Sequence, residues 1–133
     1  MMKCKSVTTL FMTDKTAESR DFYVKYFNAK VTFDNGWYVD LEFGKKAASL
    51  HFMSPQAPQH KLSTADGLSY NFKVDDVDKE YDKLIAAGLE PTLPLEDHPW
   101  GDRGFAVEDP NGIQLYIYTD IEPDEEYKKF YKK

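Results

Sequence analysis

What most constrains the fold of this 133-residue chain is that it states one plan twice. "SVTTLFMT" (6–13) reads as a strand, with Asp14 and Thr16 as candidate caps for a helix through Phe27 that sets Phe22, Tyr23, Tyr26 and Phe27 at helical spacing. "KVTFD", "WYVDLEF" and "AASLHFM" then read as three strands, punctuated by Asn35-Gly36 and Gly44. "LSYNFKVDDVDKEYDKLIAAG" restarts the plan with a strand, acidic cap candidates and a helix stopping at Gly88. An offset of 62 residues lays Asp14 on Asp76, Leu10 on Phe72, Met12 on Val74, Phe22 on Leu84 and Tyr23 on Ile85. "LEPTL", "GFAVE" and "IQLYIY" complete the second unit, and the Pro91 to Pro99 stretch with its Trp100 loop stands as an insertion.

The tandem βαβββ pattern predicts an α+β fold in one domain spanning 1–133. Module one covers about 5–54, module two about 67–119, and a C-terminal helix about 122–131 carries Tyr127, Phe130 and Tyr131 on one side. Asp109-Pro110-Asn111-Gly112 places each residue where a type I turn favours it, so the chain should reverse there.

Charge removes several function classes. A net charge of −6 lacks the concentrated basic surface that phosphate backbones require, so no nucleic-acid partner is expected. No long apolar run is present, so neither a signal peptide nor a membrane partner is expected, and the location read from this is the cytoplasm. Cys4 is the only cysteine and has no metal-type spacing. Aromatic residues reach 15%, more than a small core needs, which points to an aromatic-lined cavity or a self-association surface alongside ordinary core filling.

The tandem plan, the "FYVKYF" helix and above all "PWGDRGFAVEDPNGIQLYIY" resemble the vicinal oxygen chelate superfamily, which includes glyoxalase I, extradiol dioxygenases and bleomycin resistance proteins. The likeness runs from about Val7 to Thr119, and Trp-Gly-x-Arg ahead of the turn is closest to the metal-independent, bleomycin-resistance branch. The resemblance implies an eight-stranded, cup-shaped mixed sheet with helices on its convex side, and a homodimer that often exchanges modules. It also implies that metal-dependent relatives hold an ion with His or Glu on the first, fourth, fifth and eighth strands. The matching residues are Val7, His51 (at or within one residue), Ser69 and Tyr116. Only one is a good ligand, and one imidazole does not retain a divalent ion against water. No cofactor is therefore expected. The alternative is a divalent metal in a displaced site formed by His51, Glu42 and Tyr116.

No nucleophile elbow, phosphate loop or dinucleotide fingerprint appears. His60 and His98 read as solvent-exposed turn residues, whereas His51 interrupts an apolar strand and is the candidate for polar ligand contact. In "IQLYIY" and "SYNFK" alternation sets Gln114, Tyr116 and Tyr118, and Ser69 and Asn71, on a polar face. Two readings of the Trp100 loop stand side by side. In one, Trp100 and Arg103 wall a pocket, as the resemblance implies; in the other, Trp100 plugs the core and Arg103 pairs with Asp102 or Glu108. Trp37, Tyr38 and Phe105 join the candidate ligand-binding residues by position and bulk. The expected function is binding or sequestration of a small planar or apolar molecule, such as an antibiotic. The alternatives are a metal-dependent lyase, isomerase or dioxygenase, and a dimeric interaction module.

Overall fold

The computed structural model describes residues 1–45 and 48–132, and the chain divides into two compact units, 1–64 and 65–133. Each unit holds one four-stranded mixed sheet and a helix. In unit 1 these are β1 (Thr9–Met12), α1 (Thr16–Phe27), β2 (Lys30–Asp34), β3 (Tyr38–Phe43) and β4 (Ala48–Met53), with sheet order β1-β4-β3-β2. Ala47, expected to open β4, lies outside the described residues. Unit 2 repeats the order as β5-β8-β7-β6, from β5 (Ser69–Lys73), α2 (Val77–Ala86), β6 (Leu93–His98), β7 (Asp102–Glu108) and β8 (Gln114–Asp120). In both, the first and last strands of the unit pair in parallel (β1 with β4, β5 with β8) and the other pairs are antiparallel.

Each helix covers one face of its own sheet. Tyr23 of α1 is fully buried, stacked on Phe52 at 5.6 Å and edge-on to Phe43 at 5.9 Å, above Val39 and Leu41. Tyr81 of α2 meets Phe105 edge-on at 5.0 Å, over Val107, Leu115 and Ile117. Period-2 alternation therefore sends β3, β4, β7 and β8 side chains in turn into a helix-covered core and onto a helix-free face. α2 starts at Asp76, whose carboxylate accepts from Lys79 N at 3.1 Å. α1 starts differently: its N-cap is Lys15, and Thr16 is already helical, its hydroxyl donating to Gly36 O. The turn after β7 forms as expected, with Gly112 N donating to Asp109 O at 3.0 Å and the buried Asp109 carboxylate accepting from Asn111 N and Ile113 N.

The repeat holds, but its offset is 61 rather than 62. Thr16 corresponds to Val77 and Tyr23 to Leu84, all buried against their sheets. Phe11 pairs with Phe52 as Phe72 pairs with Ile117. The one-residue difference matters because in a strand it exchanges the two faces. Leu10 thus corresponds to Asn71, not Phe72, and His51 to Tyr116. The counterpart of Ser69 is Thr8, not Val7.

Two further expectations change. The stretch read as a Pro-rich insertion is itself β6; Pro94 is tolerated because β6 is an edge strand with an irregular register between Leu93 and Glu96. The C-terminal helix α3 is only Glu125–Lys128. No helix among the described residues is long and apolar enough to cross a membrane.

Candidate functional site

The helix-free face of unit 2 carries a polar and aromatic cluster centred on Asp102. A turn at 99–101 joins β6 to β7 and sets His98 directly opposite Asp102. His98 Nδ1 lies 2.7 Å from Asp102 Oδ1, and because a carboxylate only accepts, that ring nitrogen carries the proton. Tyr116 of β8 donates its phenol to the same oxygen at 2.7 Å, and Trp100 Nε1 donates to Asp102 Oδ2 at 3.0 Å. The Tyr116 oxygen is also 3.1 Å from His98 Nδ1. One carboxylate thus gathers three donors from three chain positions, and the Asp102 side chain is only 15% exposed.

The cluster orders flat surfaces. His98 and Trp100 stack with centroids 4.6 Å apart and planes 2° apart, and Tyr116 stacks on Tyr118 at 5.7 Å. Gly104 makes room for this: a Cβ there would lie 2.6 Å from the Tyr116 hydroxyl oxygen and 2.8 Å from Ile117 O, so a larger residue would displace the phenol from Asp102. Burial, and then the hydrogen bond to Asp102, push the Tyr116 phenol well above its ordinary pKa and keep it a donor. The turn is strapped from the C-terminal side, where Ile121 N donates to Gly101 O, Asp124 N to Pro99 O and the Tyr131 hydroxyl to Trp100 O.

Unit 1 presents its own group. His51 Nδ1 is 2.6 Å from the Tyr38 hydroxyl, and its Nε2 is 3.2 Å from Asp40 Oδ1 and 3.5 Å from Ser49 Oγ. Glu42 lies further along the same face, opposite Ser49, so the carboxylate at His51 is Asp40 and not Glu42.

The expected residues therefore separate. Trp100, Tyr116 and Tyr118 come together in unit 2, and Ser69, Asn71 and Gln114 share their face, joined by the Ser69 hydroxyl donating to Asn71 and Gln114 Nε2 donating to Ser69. Tyr38 joins His51 in unit 1 beside Trp37. Arg103 and Phe105 belong to the opposite face of β7: Phe105 is fully buried core, and Arg103 donates to Asp78 at 2.8 and 3.1 Å and to Asp97 at 3.0 Å. Those carboxylates hold the guanidinium pKa above its ordinary value, and Arg103 pairs with neither Asp102 nor Glu108. Trp100 is 45% exposed, which rules out the core plug. His98 and Asp102 are the residues sequence reasoning missed. Their only signal was the spacing in "HPWGD", which becomes a cross-strand pair once a tight turn is assumed.

A metal fits these positions poorly. Beside the imidazole of His51, the matching positions Thr8, Ser69 and Tyr116 carry only hydroxyls, and those of Ser69 and Tyr116 are committed to Asn71 and Asp102. No three His, Cys, Asp or Glu side chains converge as ligands among the described residues.

Against known proteins, residues 5–117 match the family model for the Glyoxalase/Bleomycin resistance protein/Dioxygenase superfamily. An uncharacterized Mycobacterium bovis protein is 31% identical over 112 residues, covering 76% of this chain and 74% of its own. Two similar folds are a glyoxalase/bleomycin resistance protein/dioxygenase from Nocardioides (TM-score 0.72, 17% identity, 92% of this chain and 87% of that one) and a lactoylglutathione lyase from Agrobacterium tumefaciens (TM-score 0.71, 18% identity, 89% and 96%). The duplicated βαβββ units and the family match together make this chain a member of the glyoxalase/bleomycin resistance protein/dioxygenase superfamily.

Proposed function

We propose that this protein is a metal-independent member of its superfamily that binds and sequesters a small flat molecule, of which an antibiotic is one class. The observation that carries this reading is the Asp102 carboxylate, which accepts from His98, Trp100 and Tyr116 together. It commits the polar atoms of His98, Trp100 and Tyr116 to one carboxylate and leaves the stacked His98–Trp100 and Tyr116–Tyr118 rings to meet a guest. Rigid aromatic walls with few free polar anchors suit shape-selective binding, and ordering them beforehand lowers the entropy cost of association. Homodimer formation, the eight-stranded cup and a cytoplasmic location are parts of the same proposal.

Calorimetric titration with quinoxaline, a neutral bicyclic heteroaromatic, tests it. Saturable binding is expected, indifferent to EDTA and weakened about tenfold in Trp100→Ala, the loss of about 1.4 kcal/mol of stacking. Unchanged affinity in that variant, or binding abolished by chelation, would refute the reading.

One observation favours a second reading. An imidazole held by a carboxylate at Nδ1, as His98 is by Asp102, is how general bases are oriented. Turnover of a bound compound that is lost in His98→Gln, with binding retained, would establish catalysis.

A further inference from the structure

The β2–β3 corner of unit 1 presents a cluster of aromatic rings that the reading above does not use. Its turn is unusually well tied: Asn35 Oδ1 accepts from Trp37 N and Tyr38 N at 3.1 and 2.8 Å, and Asp34 accepts from Gly36 N and from Arg20. Trp37 O accepts from Ser54 N at 2.8 Å. These bonds set three rings at one corner. The Phe33 and Trp37 rings stand 80° and 87° to the Tyr38 ring, with centroids 6.0 and 6.2 Å from it. Together with Asn35 and Asp40 they line an open cavity of about 370 Å³.

Asp40 is the one charged residue among those lining this cavity. Asp40 Oδ1 is shielded from solvent yet has no hydrogen-bond partner among the described residues. His51 Nε2, 3.2 Å away, lies outside hydrogen-bond geometry. The Asp40 side chain, 27% exposed, borders the cavity, and its carboxylate charge would attract a cation held there. A bare metal ion needs several oxygen or nitrogen ligands, and aromatic rings supply none. An alkylated ammonium needs no directed hydrogen bonds; it needs aromatic faces and a nearby negative charge.

The geometry points to an organic-cation site at this corner, in which Phe33, Trp37 and Tyr38 face an alkylammonium head group and Asp40 supplies the countercharge. The occupant is a small molecule carrying that head group. The chain's net charge of −6 favours the approach of such a cation.

The probe is tetramethylammonium chloride, titrated into the 133-residue protein while the Trp37 indole N–H resonance is followed by NMR, with tert-butanol as a neutral control of similar bulk. The Trp37 signal should shift saturably with the cation and not with the alcohol. Asp40→Asn, which keeps the shape and removes the charge, should weaken binding at least tenfold. Trp37→Ala, followed through backbone amides of the corner, should abolish it, and Trp37→Phe should restore it to within about threefold, the thermal melts of all variants serving as the folding control. An absent shift, an equal response to tert-butanol, or unaltered affinity in Asp40→Asn would each overturn the proposal. So would a response to a trimethyllysine tripeptide with none to choline, because the head group would then belong to a peptide. Quinoxaline binding is scored separately, so this site and the Asp102 platform stand or fall independently.

Discussion

Replacing Asp102 by Ala tests whether the unit 2 cluster is a single cooperative network. The wild-type carboxylate accepts two bonds of 2.7 Å from largely buried partners and one of 3.0 Å from an exposed indole. A hydrogen bond to a charged group contributes about 1.5–3 kcal/mol, and the exposed third bond contributes little because water replaces it. Losing the two inner bonds, with water partly rescuing the abandoned donors, should cost about 3 kcal/mol. For a domain of this size that corresponds to a fall of about 10 °C in Tm. Charge works against this outcome, since removing one carboxylate from an acidic chain relieves repulsion, so a large loss must come from the network itself. Asp102→Asn keeps an acceptor for some of the donors and should cost only about 1 kcal/mol. Glu96→Ala, exposed on the same face, should lie within about 0.5 kcal/mol of wild type. Urea denaturation followed by far-UV circular dichroism, with the near-UV bands reporting aromatic order, measures all three. A loss below 1 kcal/mol in Asp102→Ala, or equal losses in the Ala and Asn variants, would refute the reasoning.

Three other outcomes follow from the same geometry. Gly104→Ala should destabilise the protein by about 2 kcal/mol, because its methyl would compete with the Tyr116 phenol and a β8 carbonyl; a fully folded variant with unaltered near-UV dichroism would contradict this. Arg103→Met should lower stability by about 1 kcal/mol, with the loss shrinking at high salt, and leave quinoxaline affinity unchanged since Arg103 lies on the α2 side; titration of the variant checks this. Because the folded-state pKa of Tyr116 is raised, its contribution is complete below the unfolded value of about 10 and is lost as pH rises from there through the folded value. Stability of the wild type should accordingly fall more steeply above pH 10 than that of Tyr116→Phe, and parallel curves would refute the assignment.

The sequence by itself determined the βαβββ order of elements in each unit, because two hydrophobic periods, 3.6 and 2, recur in one order along the two halves. Local chemistry was equally legible: the Asp109 turn, the Asp76 cap and the polar row of β8 all depend on residues within a few positions of one another. The tertiary structure decided what depends on register. An offset misplaced by one residue exchanges strand faces, so an offset of 62 lays Leu10 on Phe72 where strand pairing lays it on Asn71. Pro91 and Pro94 masked β6, and with it the hairpin that brings His98 to Asp102. Arg103 and Phe105 adjoin the cluster in sequence yet point to the helix side, because neighbouring residues of a strand face opposite ways. Proximity along the chain sets which elements form; only pairing between strands sets which side chains meet.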